Sequence, residues 1–173
     1  ASPRYERSAL LGRGGMGEVF LCEDRRIGRQ VAMKRIRVEA EADPTARRRF
    51  LREARVQGQL EHPAIVPVYE LDHQDGHAYF TMKRVRGEAL HEILQRHREG
   101  DVREGDTRRR LLAAFAQVCL AVDFAHERGV LHRDLKPENI MLGDYGEVYV
   151  LDWGLAKIRD APELEGETLS LHP

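Results

Sequence analysis

Cysteine is scarce in this chain, and aromatic residues, long apolar runs and net charge are scarce with it. The two thiols, Cys22 and Cys119, lie far apart with no Cys or His neighbour at zinc spacing, so no structural zinc is encoded. Both read as reduced thiols, buried or half-buried, and a cytoplasmic location is expected. The longest apolar stretch, residues 111–125, is interrupted by Gln117 and Asp123 and is too short to cross a bilayer. No signal peptide opens the sequence. The first residue is Ala rather than Met, so we expect a piece of a longer protein, and a membrane anchor would have to lie outside it. A net charge of -1 and a pI near 6.8 supply no basic field for nucleic acid. The runs Arg47-Arg48-Arg49 and Arg108-Arg109-Arg110 read as solvated helix faces, and no nucleic-acid partner is expected. At 173 residues the chain can still bury a core.

What is present is concentrated. In His132-Arg133-Asp134-Leu135-Lys136-Pro137-Glu138-Asn139, several ionisable or metal-binding groups sit beside a helix-stopping proline. A strand-like run, Val148-Tyr149-Val150-Leu151, then delivers Asp152, followed by Trp153-Gly154. Hard Mg2+ takes one or two protein oxygens plus substrate phosphates, so Asn139 and Asp152 suit a metal that itself holds a nucleotide. Asp134 is then free to act as a base. His132 is the residue type first suspected as a base or ligand, but no other His stands at ligand spacing from it.

Near the start, Leu11-Gly12-Arg13-Gly14-Gly15-Met16-Gly17-Glu18-Val19-Phe20 carries Gly12, Gly14 and Gly17 in a G-x-G-x-x-G pattern. A dinucleotide fingerprint would open into a helix. These glycines run instead into a β-type segment and a polar turn at residues 24–28, and residues 30–38 again look extended. They therefore belong to a strand-loop-strand hairpin, where glycine lets backbone approach phosphate closely. No Gly-Lys-Ser/Thr follows, which excludes a Walker loop. In Val31-Ala32-Met33-Lys34 a lone lysine ends an apolar run. Taken alone it is an ordinary outward strand lysine; after a glycine hairpin it is a candidate phosphate ligand. Asp43-Pro44 opens a helix on which Phe50, Ala54 and Gln57 share a face. Glu53 on that helix can pair with Arg49 on the surface at i,i+4 spacing.

Together these motifs resemble the eukaryotic-type (Hanks-type) protein kinases, serine/threonine branch, including the bacterial members. Lys136, two residues after Asp134, fits that branch. The resemblance implies an α+β, two-lobe fold: an antiparallel-sheet small lobe over residues 1–86 and an incomplete, mainly helical large lobe over 87–173. It implies ATP and Mg2+ as cofactors and a protein Ser/Thr hydroxyl as acceptor. Gly12, Gly14 and Gly17 would cover the phosphates, Lys34 held by Glu53 would position them, and Leu11, Val19, Ala32, Met82, Met141 and the backbone of Lys83 and Val85 would hold adenine between the lobes. Asn139 and Asp152 would hold the metal, Asp134 would be the base, Lys136 would stabilise the transferred charge, and His132 would support the loop by packing. The middle residue of the metal triplet is Trp rather than the commoner Phe, Lys83 stands where an acid is frequent, and Gln57 stands at an apolar position of the family.

The remaining pattern gives strands over 65–72 and 77–82, a helix over 88–97, a polar loop over 100–106, and a long helix over 108–128 closed by Gly129. On that long helix Leu111, Phe115, Val118 and Val122 form the apolar face. Residues 139–142 and 147–151 make a hairpin. After Gly154 too little chain remains for an activation segment and the later helices, and Ala161-Pro162-Glu163 falls too close to Gly154 to end one. The expected function is ATP-dependent phosphorylation of protein Ser/Thr. The alternative is a nucleotide-binding module of weak or no activity, while a small-molecule kinase is disfavoured by Asp-Leu-Lys-Pro-Glu-Asn. Arg133 would read phosphorylation of the loop, with Thr168 and Ser170 as candidate sites and a poorly ordered acidic tail.

Overall fold

A computed structural model describes residues 4–158, so the acidic tail, Ala161-Pro162-Glu163, Thr168 and Ser170 lie outside the described residues. The described residues form two units, one of residues 4–58 and 67–84, the other of 59–66 and 85–158.

The first unit is a five-stranded antiparallel sheet. Its strands β1 (Tyr5–Arg13), β2 (Gly17–Asp24), β3 (Arg29–Ile36), β4 (Val68–Gln74) and β5 (His77–Lys83) run in the order β1-β2-β3-β5-β4. Turns at Gly28 and at Asp75-Gly76 take positive φ, which glycine adopts without a Cβ clash. Between β3 and β4 lie the short helix α1 (Val38–Glu41) and the longer α2 (Pro44–Gln59). Val38 thus begins a helix rather than ending the strand. Asp43 caps α2, its carboxylate accepting from the Thr45 N–H at 2.9 Å, with Pro44 at the first turn.

Strand alternation sorts the side chains to two faces. Ile36, Ala78 and Phe80 form one cluster with Phe50 and Ala54 of α2, and the Phe50 and Phe80 rings lie 5.3 Å apart. Burying such a side chain contributes about 1.5–3 kcal/mol. Tyr5, Cys22, Val31, Met33 and Tyr79 form the other cluster. It is closed by a polar knot that the sequence did not announce. Fully buried Asp24 accepts two bonds from Arg4, at 2.9 and 3.1 Å, and Arg4 also reaches Glu70, to which Tyr5 donates its hydroxyl hydrogen. Arg4 holds the Asp24 carboxyl below the usual range, and burial helps push the Tyr5 hydroxyl up to about 12.

In the second unit β6 (Glu88–Ala89), β8 (Ile140–Leu142) and β9 (Val148–Val150) form a small antiparallel sheet, and β7 (Val130–Leu131) pairs with β10 (Lys157–Ile158). Helices α3 (Leu90–Glu99) and α4 (Arg108–Glu127) accompany them. Thr107 caps α4 through the Arg110 N–H at 3.2 Å, and Gly129 follows it with a φ of 75°. Together the units give the expected α+β class.

Five details correct the sequence reading. The strand placed at 65–72 starts at Val68, while Ile65 bridges to Val150 of β9. Glu88 and Ala89 are strand, so α3 starts at Leu90. The buried face of α4 is Ala114, Val118, Ala121 and Ala125, whereas Phe115 is 64% exposed. Cys22 is buried as expected, but Cys119 is exposed. Asp106, placed in a polar loop, is itself buried and held by Arg96 at 2.8 Å and Arg110 at 3.2 Å. No helix among the described residues is long and apolar enough to cross a membrane.

Candidate active site

The glycine hairpin forms as its residue pattern demands. Strands β1 and β2 leave Gly14, Gly15 and Met16 between them, and the Gly14 N–H closes the turn onto the Gly17 carbonyl at 2.9 Å. A Cβ at position 17 would stand 3.0 Å from the Arg35 carbonyl and 3.4 Å from side-chain carbons of Lys34, so a side chain there would crowd the lysine. Gly12 pairs with Val19 at the end of β1, and Leu11 sits at a bulge beside it, half exposed.

Strand register then brings the other residues of this unit together. Val19 stands opposite Lys34, and Ala32 opposite Met82, so these four share one face of the sheet. The same face receives α2. There Lys34 Nζ lies 2.5 Å from Glu53 Oε1, with the two side chains only 14% and 3% exposed. Glu53 is thus paired across the sheet rather than with Arg49 along the helix. Gln57, also buried, directs its amide toward the Met82 sulfur at 3.9 Å. Lys83 ends β5, and its N–H donates to the Pro67 carbonyl at 3.1 Å.

In the second unit Pro137–Asn139 form one 3-10 turn, and Asn139 delivers its side chain to Asp134. Its amide nitrogen donates to the Asp134 carbonyl at 2.8 Å and to the carboxylate at 3.1 Å, which leaves the amide oxygen of Asn139 pointing elsewhere. Lys136 Nζ reaches the same carboxylate at 2.8 Å. Lys136, with Asn139 assisting, holds the Asp134 carboxyl below the usual carboxylate range, and Asp134 raises Lys136 in turn. Asp134 is therefore an anion at neutral pH.

Asp152 is joined to this loop by backbone. The Leu151 N–H donates to the Asn139 carbonyl at 2.8 Å, and the Leu151 carbonyl faces His132 Nε2 at 2.9 Å. His132 Nδ1 accepts from the Asp134 N–H at 3.2 Å, so Nε2 is the nitrogen that carries the proton. Its ring meets buried Trp153 edge-on at 4.6 Å. Burial holds His132 below its ordinary value, and its packing role is built from these contacts. Arg133 and Asp152 both adopt left-handed backbone, φ 65° and 57°, a conformation that costs a non-glycine residue energy and gathers at functional sites. Sequence reading did not foresee this strain. The Arg133 Nε donates to the Leu155 carbonyl at 3.0 Å. Met141 lies in β8 opposite Tyr149, and Val85 precedes β6.

A divalent ion fits the oxygen donors on this loop. Asn139 has an amide oxygen not engaged by Asp134, Asp152 supplies a carboxylate, and the intervening backbone bond holds the two segments together. No group of three or more His, Cys, Asp or Glu side chains able to hold a metal occurs among the described residues. The donor set is one or two oxygens, the number a Mg2+-type ion uses when phosphates complete its shell.

Residues 5–169 match the family model described as the protein kinase domain. The chain belongs to that family. It is 43% identical over 169 residues to the serine/threonine-protein kinase PknD of Chlamydia muridarum, covering 95% of this chain and 18% of that protein. To the protein of the same name from Protochlamydia amoebophila it is 45% identical over 168 residues, covering 93% and 17%. The chain thus spans less than a fifth of the length of these curated relatives.

Proposed function

We propose that this chain carries the nucleotide-handling and phosphoryl-transfer residues of an ATP-dependent protein kinase that acts on Ser or Thr hydroxyls. The observation that carries the reading is the Asp134 carboxylate, fixed between Lys136 and Asn139 and kept anionic by them. An anion so held can accept a hydrogen bond from an incoming hydroxyl and orient it, then take its proton as the oxygen attacks. Lys136 shares that anion and would meet the charge of the transferred phosphoryl group.

In the sheet unit, Gly12, Gly14 and Gly17 would cover the phosphates with backbone rather than side chain, as the crowding at Gly17 supports. Lys34, oriented by Glu53, would bind the α- and β-phosphates. Val19, Ala32 and Met82, on the face that carries Lys34, would contact adenine with Leu11 and the backbone of Lys83, and in the second unit Met141 and the backbone of Val85 are the proposed adenine contacts. Asn139 and Asp152 would hold Mg2+, which supplies neutralisation of phosphate charge. Buried, reduced Cys22 suits action in the cytoplasm.

The test is transfer of labelled γ-phosphate from ATP to a generic basic protein by wild type and its Asp134→Asn variant. Loss of turnover by orders of magnitude, with ATP binding kept, is expected. Near-normal turnover in the variant would remove the assignment.

A further inference from the structure

Helix α2 carries five arginines within nine residues, Arg47, Arg48, Arg49, Arg52 and Arg55, against a single carboxylate, Glu53, which faces Lys34. Helical periodicity places Arg48, Arg52 and Arg55 opposite the buried residues Phe50, Ala54 and Gln57. Arg48 and Arg55 are exposed and Arg52 is half-buried. Elsewhere in the same unit Arg4, Arg13, Arg25, Arg35 and Arg37 each reach a carboxylate, and on α2 itself Arg47 reaches Glu41. Among the described residues no carboxylate pairs with Arg48, Arg49 or Arg55. Arg48 and Arg52 are one turn apart, a like-charge spacing that weakens a helix.

We infer that this ridge is a docking surface for an acidic linear segment of a partner protein. Arg48 to Arg55 spans about 10 Å at 1.5 Å per residue. An extended peptide places carboxylates of alternate residues about 6.7 Å apart on one side, so two or three of them cover the ridge. Guanidinium groups bind carboxylates through two parallel bonds, which suits a row of them. The other outward neighbours are Thr45, Gly58 and Gln59, all exposed. They offer no aromatic ring on which a base could stack and no large apolar group to enter a lipid surface, so an acidic peptide fits better than either. This surface is independent of the phosphoryl-transfer reading, because none of the three arginines belongs to that machinery.

The experiment is fluorescence anisotropy of the 173-residue chain with a labelled peptide bearing four glutamates at alternate positions. A glutamine version of the peptide and an RNA oligonucleotide of equal charge serve as comparisons. Wild type should bind the glutamate peptide, more weakly as salt rises, and Arg48→Gln/Arg55→Gln should weaken it by about tenfold or more. Circular dichroism checks that this variant is folded; if it is not, Arg48→Lys/Arg55→Lys keeps the charge, loses the fork, and should show a partial loss. No binding of the peptide, equal affinity in the folded variant, or tighter binding of the RNA would each overturn the inference.

Discussion

The ammonium of Lys34 lies 2.5 Å from the carboxylate of Glu53, and both side chains are largely withdrawn from water. Removing one partner of a buried pair leaves the other uncompensated and costs about 3–5 kcal/mol, whereas replacing both by apolar groups is close to neutral. Lys34→Met should therefore lower the urea midpoint markedly, and Lys34→Met/Glu53→Leu should recover most of it. Phosphotransfer activity should fall by orders of magnitude in both. A double variant no more stable than the single would show that the pair does not hold α2 to the sheet.

Acid should loosen the second unit through His62. Its Nδ1 accepts from the Ala64 N–H at 3.1 Å and its ring packs on Phe124 at 5.1 Å, while burial, with the nearby Arg128 guanidinium, lowers it from the ordinary 6.5. The folded state thus favours the neutral ring more than the unfolded chain does. The stability this gives is complete above about pH 6.5 and is lost as pH falls through the lowered folded value. Calorimetry of wild type and His62→Phe between neutral and mildly acid pH should show a shallower decline in the variant; parallel declines would count against the assignment.

Gly87 should tolerate no side chain. Its φ is 138°, and a Cβ there would meet the Leu142 carbonyl oxygen at 2.1 Å and Gly143 Cα at 2.8 Å. Neither obstacle is a flexible side-chain tip, so backbone must move, and β6 pairs with β8 at Leu142. Gly87→Ala should cost about 3 kcal/mol in chemical denaturation, whereas Gly105→Ala, whose added Cβ would meet only the tip of the Arg110 side chain at 3.8 Å, should change little.

Asp152→Asn separates folding from ligand handling. Asn adopts left-handed backbone about as readily as Asp, so the φ of 57° is kept without new strain. The variant should melt within a few degrees of wild type, about 1 kcal/mol or less. ATP with Mg2+ at a hundredfold excess over Kd should stabilise wild type by about 2.7 kcal/mol and the variant far less. An undiminished shift would take Asp152 out of the metal set.

Much of this was legible because its signals are local. The glycine hairpin, Lys34 at the end of an apolar run, and the Asp134 to Asn139 loop are each contained in a few residues, and backbone rules place the first two on a turn and a strand. What escaped depends on distance or on smallness. Arg4 finds Glu70 across 66 positions, and no periodicity announces that. On α4 the large residues drew the eye, yet the buried face is Ala114, Val118, Ala121 and Ala125, because small side chains admit β7 and β9 closely. Gly87 could have been flagged only by knowing what carbonyl would stand against it.

The single tryptophan of the chain stands between Asp152 and Gly154, buried and in edge contact with His132. Its indole N–H is committed to the Val150 carbonyl at 3.4 Å. The protein therefore carries a built-in optical reporter at one place only. An indole sealed from water emits at short wavelength, so the ultraviolet emission of the whole molecule reports the state of the Asp152 segment. A red shift that precedes the loss of helix signal on warming would mark that segment as opening ahead of the rest, with no dye attached.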